Sequence, residues 1–151
     1  MPNILVVGGN GFLGSHLVDA LAAQEGTFIR AFDMFGNGEH WKASGVEAFD
    51  GNFLNNDDIA RAVSGMDVVV HMLSTTDPAT VENDPTLDVR TNIQGSIDLF
   101  RACVDAGVGH VYYASSGGTI YGDQDKESYC EDDRTLPVSP YGIGKLTIEN
   151  Y

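Results

Sequence analysis

The chain has 151 residues, 22 acidic against 8 basic side chains, a formal net charge of −14 and 42% apolar residues. That is enough apolar material for one folded domain, so wholesale disorder is excluded. The charge repels nucleic-acid backbones and anionic membranes, and no stretch approaches the ~20 apolar residues that span a bilayer. A small phosphorylated ligand stays open, because a helix N-terminus can hold one phosphate whatever the net charge.

In chain order, Ile4–Val7 is predicted to be a buried strand ending at Gly8. A helix follows over Gly14–Ala23, with Leu13, Leu17, Val18 and Leu21 on its apolar stripe. Phe28–Phe32 and the short Val46–Phe49 read as strands, and Asp57–Val63 as a helix capped by Asn55 or Asn56. Val68–Leu73 is a strand, Leu87–Ala106 a long helix closed by Gly107, and Val111–Ala114 a strand. Asp123–Pro140 reads as an acidic loop, and a last helix starts near Pro140 with Ser139 as its cap. Strands alternating with helices predict an α/β fold: a Rossmann-type, doubly wound parallel sheet with helices on both faces.

Gly8, Gly11 and Gly14 form a G-x-x-G-x-x-G turn between the first strand and the first helix. Gly8 allows the sharp turn out of the strand. Gly11 clears space for a pyrophosphate to approach the backbone, and Gly14 lets helix and strand pack closely. The pyrophosphate would sit at the positive helix N-terminus. Asp33, at the end of the second strand, is placed to accept hydrogen bonds from the ribose hydroxyls of the adenosine, and it would repel a 2′-phosphate. No basic residue lies in 34–39, so the expected cofactor is NAD in preference to NADP. His40 and Trp41 are assigned to the adenosine side.

Tyr141 and Lys145 are spaced i, i+4, one turn apart on a helix face. An ammonium there is expected to pull the phenol below its free value of ~10, so that Tyr141 exchanges a proton with a substrate hydroxyl or carbonyl while Lys145 also bonds the nicotinamide ribose. His71, at the end of an apolar strand, reads as a core-edge histidine. No His or Cys spacing points to a metal, and Cys103 reads as a small buried apolar residue. With no basic leader, both thiols are expected to be reduced in a cytoplasmic protein.

These motifs, with His71–Ser74, Asn92–Gly95, Ser115–Gly122 and Ser139–Lys145, resemble the extended short-chain dehydrogenases/reductases, in particular the NAD-dependent epimerase/dehydratase family. The resemblance implies that the backbone N–H groups of Phe12 and Leu13 line the pyrophosphate turn. It places Asn52 and Phe53 at the adenine, Leu73 and Ser74 beside the cofactor, Asn92 in the helix that sets the active-site geometry, and Ser115 near the nicotinamide. One departure stands out. Where the family carries a catalytic Ser or Thr, four residues before Tyr121, this chain has Gly117. Ser116 is the expected substitute hydroxyl, with Thr119 or a water as alternatives. Gly118 and Thr119 replace the acid/base pair that dehydration needs.

The implied activity is reversible hydride transfer on a nucleotide sugar, giving epimerisation. A carbonyl or sugar reductase on the same residues, and a non-catalytic NAD-binding module, remain as alternatives. Residues 1–151 are expected to form the NAD-binding part of a longer enzyme whose C-terminal substrate domain lies beyond this chain, with homodimer formation or other self-association.

Overall fold

The computed structural model describes residues 2–151, the side chains of residues 82 and 85 excepted. Five parallel strands make one sheet: β1 (Asn3–Val7), β2 (Phe28–Asp33), β3 (Glu47–Asp50), β4 (Val68–His71) and β5 (His110–Tyr113), in the order β3-β2-β1-β4-β5. The order reverses between β1 and β4, and ligands of open α/β sheets bind at the carboxyl ends of strands where this happens. Residues group into two compact units, Met1–Leu73 with Asp98–Ala114, and Ser74–Ile97 with Ser115–Tyr151.

The first unit contains the sheet. Leu5, Val7, Phe32 and Val69 pack on one face against Ile59, Ala62 and Val63 of α2 (Asn56–Val63) and Leu99 and Cys103 of α5 (Gln94–Ala106). Ile4, Val6, Ile29 and Ala31 pack on the other against Val18, Leu17 and Leu21 of α1 (Phe12–Ala22). A sheet buried on both faces is what the unbroken apolar strands demand. Asn55 caps α2 by accepting the Asp57 and Asp58 N–H groups. Gly107, at φ +74°, closes α5, with the Val108 N–H reaching back to the Cys103 carbonyl.

Four expectations need correction. Leu13 belongs to no buried stripe: it is 64% exposed and Phe12 80%, because the first turn of α1 carries its side chains clear of the sheet. Trp41 is not an exposed loop aromatic; it is buried among the sheet residues, edge-on to Phe35. Strand β4 stops at His71, two residues early. Its last neighbour, β1, peels away into the glycine turn, leaving the Met72 N–H on the Val7 carbonyl as the final link. The long helix is also not continuous. It opens as α4 (Pro85–Asp88), capped by Asp84, passes through a π-helical turn over Val89–Ile93, and only then becomes α5.

The second unit is made of short helices: α3 (Pro78–Asn83), α4, the π-helical turn, α6 (Gly117–Ile120) and α7 (Pro140–Glu149). The α3 start was readable in retrospect, since Asp77 accepts the Thr80 N–H and Pro78 takes the first turn. Ser139 caps α7 through the Gly142 N–H, as expected. The loop before α7 has no regular structure, yet it is tied down. Tyr121 stacks on Tyr129 with ring centroids 5.1 Å apart, and Gln124 donates to the carbonyls of Tyr121 and Arg134. Asp133 accepts the Cys130 N–H and pairs with Lys126.

Candidate active site

In the first unit the glycine turn is built by collision avoidance. Gly8 sits at φ +83°, where side chains are strained, and a Cβ there would lie 2.7 Å from the Leu73 nitrogen. A Cβ on Gly14 would fall onto the Gly8 carbonyl oxygen, whereas one on Gly11 would meet only that oxygen at 3.2 Å. Gly8 and Gly14 are thus fixed by the fold itself, and Gly11 is the least hindered of the three, a Cβ there meeting only one atom. Gly11 is the N-cap of α1 and no side chain caps that helix, so the N–H groups at its start, those of Phe12 and Leu13 among them, are positioned for an anion.

Asp33 closes this turn. Its Oδ2 accepts the Asn10 N–H at 2.9 Å and its Oδ1 the Met34 N–H at 2.8 Å. Asn10, which the sequence reading passed over, is 8% exposed and is the hub. Its side chain donates to the Gly38 carbonyl and accepts the His40 N–H, and its own carbonyl meets His40 Nδ1 at 2.7 Å. An asparagine among glycines carries no spacing signal, which is why it was missed. Asn52 is exposed and its Oδ1 accepts the Leu54 N–H. Phe53 lies in the core, its ring 5.3 Å from that of His71. His71 is itself enclosed by Phe53, Phe100 and Tyr113.

In the second unit Lys145 Nζ stands over the Tyr141 ring, 5.6 Å from its centroid, so the pair does share a helix face. Two glycines let α7 approach its neighbours. A Cβ on Gly142 would lie 2.7 Å from the Thr119 carbonyl oxygen, and one on Gly144 would fall onto Asp88 Oδ2. Beneath the pair is a buried polar cluster. Asn92 Nδ2 donates to Asp88 Oδ1 and to Thr76 Oγ1, both at 2.6 Å, and Asn92 Oδ1 accepts the Thr75 N–H at 2.8 Å. Thr76 Oγ1 donates to Asp88 Oδ1 at 2.6 Å. Ser74 Oγ donates to the Thr76 carbonyl. The π-helical turn supplies the extra residue that brings Asn92 into this cluster, and such turns recur at functional sites.

The electrostatics correct the expectation for Tyr141. Burial holds its hydroxyl above the usual phenol value, the charge of Asp88 and then that of Asp77 add to that, and only its hydrogen bond with Ser74 acts to lower it. Lys145 is 7% exposed. Burial pulls its ammonium below the usual 10.5 while the Asp88 charge supports it. The surroundings therefore raise the phenol of Tyr141 and lower the ammonium of Lys145. The i, i+4 spacing was legible; the carboxylates that face it were not.

Gly117, at the start of α6, has open space around it, with nothing within 4 Å of an added Cβ. Ser116 is the N-cap of α6 without capping it through its side chain, and Thr119 Oγ1 donates to the Ser116 carbonyl. Ser115 Oγ is buried and has no hydrogen-bond partner among the described residues. Within the first unit, the glycine turn at the N-terminus of α1 fits the pyrophosphate of a dinucleotide. Among the described residues there is no cluster of three His, Cys, Asp or Glu able to hold a metal ion, and no helix long and apolar enough to cross a membrane.

Sheet order and the glycine turn define a Rossmann-type α/β fold. The chain belongs to the NAD-dependent epimerase/dehydratase family, whose sequence profile it matches over residues 4–151. It is 32% identical over 154 residues to the UDP-glucose 4-epimerase of Mycolicibacterium smegmatis, an alignment covering 97% of this chain and 49% of that protein. It is 34% identical over 145 residues to the 3-beta-hydroxysteroid dehydrogenase of Mycolicibacterium neoaurum, covering 92% and 38%. Among solved structures, the UDP-glucose 4-epimerase of Thermus thermophilus in complex with NAD superposes with a TM-score of 0.88 at 31% identity, over 99% of this chain and 49% of that one. The chain thus spans about half the length of the epimerases it matches.

Proposed function

We propose that this chain forms the NAD-binding part of a nucleotide-sugar epimerase. In this reading the N-terminus of α1 takes the pyrophosphate through the N–H groups of Phe12 and Leu13, Asp33 takes the adenosine ribose, and Asn52 and Phe53 border the adenine. Leu73, Ser74, Asn92 and Ser115 border the nicotinamide half, and Lys145 holds its ribose. Bound NAD supplies the hydride acceptor. As the phenolate, Tyr141 Oη would take the proton of the sugar hydroxyl and return it, and Lys145 would supply the positive charge that stabilises the phenolate. Ser116 steadies the sugar oxygen in place of the hydroxyl absent at Gly117. The observation that carries this reading is the buried Lys145 ammonium over the Tyr141 ring.

One observation favours the alternative of a carbonyl reductase. A phenol held in its protonated form is a proton donor, which suits reduction of a carbonyl. The two are separated by product analysis: an epimerase gives no net change in NADH, whereas a reductase consumes it stoichiometrically. Calorimetry with NAD and NADP tests the shared part, and NAD binding without turnover by this chain, restored in a longer one, selects the non-catalytic module. Asp33→Ala is expected to abolish NAD binding without gain for NADP; unchanged NAD affinity would overturn the ribose assignment.

Self-association is part of the same proposal. Strand β5 is a sheet edge with Val111 and Tyr112 exposed, and Ile143 of α7 is 51% exposed. The −14 charge opposes it, and a monodisperse monomer at high concentration in sedimentation analysis would count against it.

A further inference from the structure

The proposed chemistry uses Tyr141 and Lys145 but leaves unexplained a carboxylate that is only 4% exposed in the second unit. Asp88 does not sit there as a helix cap or a surface charge. Both its oxygens are committed. Oδ1 accepts from Thr76 Oγ1 and from Asn92 Nδ2, each at 2.6 Å. Oδ2 presses on α7 where only a glycine fits, at Gly144, the residue before Lys145. A buried carboxylate without a nearby cation is costly. The cation whose burial matches it is Lys145, at 7% exposure.

We propose that Asp88 is the positioning residue of this site: fixed by Thr76 and Asn92 and pressed on the backbone at Gly144, its carboxylate sets the seat of α7 and is the internal counter-charge of the Lys145 ammonium. Its role in proton transfer rests on the reading of Tyr141 and Lys145 given above; its electrostatic role does not. The groups that face this pair are Tyr141 on α7, Asp88 on α4, Asp77 at the cap of α3, and the neutral hydroxyls of Ser74 and Thr76. Arg90, in the π-helical turn, is engaged outward with Asp84 at 3.1 Å, both at the surface. The Asp88 charge acts on the pair in opposite senses: it keeps Lys145 protonated and resists ionisation of Tyr141.

The test is direct titration, without substrate. Lysine-selective ¹³C labelling gives signals for Lys42, Lys126 and Lys145, and tyrosine ring labelling, with Tyr141→Phe for assignment, reads Tyr141. Asp88→Asn keeps the shape and removes the charge, so the midpoints of Lys145 and Tyr141 should both move to lower pH. Thr76→Val removes the hydrogen bonds to Asp88 and from Asn92 but keeps the charge, so it should lower thermal stability and leave both midpoints near wild type. Should Asp88→Asn not fold, the smaller Asp88→Ser is read in the same way. A folded, uncharged variant whose Lys145 midpoint does not move overturns the proposal. Calorimetry with NAD on the wild-type chain is scored apart: absence of binding would overturn the functional reading and leave the titration result standing.

Discussion

The glycine turn of the first unit and the Tyr–Lys helix of the second meet the same demand by different means. Both bring backbone close to a neighbour by deleting side chains. At Gly14 the neighbour is the carbonyl of Gly8, six positions back in the same motif. At Gly144 it is the carboxylate of Asp88, far back in sequence and fixed in turn by Thr76 and Asn92. The first constraint is backbone against backbone, has no slack, and is written within one motif. The second is backbone against a side chain held by hydrogen bonds, so it can yield, and it depends on residues scattered from 76 to 145.

The sharpest way to break this comparison is Gly14→Ala. Its Cβ meets a carbonyl that cannot move without unmaking the turn, so the expected loss is at the upper end of overpacking or beyond it, about 3 kcal/mol. Urea denaturation measures it, and Gly11→Ala, with its looser contact, should cost clearly less.

Gly144→Ala should cost about 1–3 kcal/mol, and unlike Gly14→Ala it should be rescued in part by Asp88→Ala, which removes the obstructing group. A double-mutant cycle with no coupling would show that the two residues do not restrain each other.

Asn55→Ala, a simple cap in the first unit, is expected to cost about 1 kcal/mol, read by thermal denaturation.

The pH dependence separates the units further. Because burial depresses the folded Lys145 below 10.5, the unfolded chain binds more protons across the window from the folded value up to 10.5, and stability rises with pH through it. Tyr141 works the other way: its raised folded value gives stability that is present below 10 and lost as pH rises through that folded value. Lys145→Met removes the desolvated ammonium but leaves the buried Asp88 carboxylate without its counter-charge, so it should be less stable than wild type at pH 7, and the loss should shrink in an Asp88→Asn background; an equal loss in both backgrounds would contradict the pairing.

The smallest effect is chemical. Cys130 is exposed, whereas burial pushes the Cys103 thiol up to about 11, so a thiol reagent should react quickly with Cys130 and with Cys103 only on unfolding.

Much of the molecule was legible without coordinates. Strands β1, β2 and β4, the glycine turn, Asp33 at the end of β2, the caps at Asn55 and Ser139 and the shared face of Tyr141 and Lys145 all follow from local rules of periodicity, capping and spacing. What was misread shares a cause. Leu13 fits an apolar stripe by period, but whether that stripe meets the sheet depends on where α1 begins. Trp41 looks like a loop aromatic until a core closes around it. The π-helical turn leaves no mark on the hydrophobic pattern, because its reason is the polar cluster that receives Asn92.

The sequence by itself determined the α/β class, the dinucleotide-type turn and the family, since each rests on contacts between residues close in the chain or on backbone sterics that admit only glycine. The tertiary structure alone decided that burial and Asp88 hold the Tyr141 phenol up, that Lys145 is buried, and that Asp88, Asn92 and Thr76 pack beside them. Burial and the long-range field of a carboxylate are properties of packed neighbours, and they take a value only once segments distant in sequence are brought together.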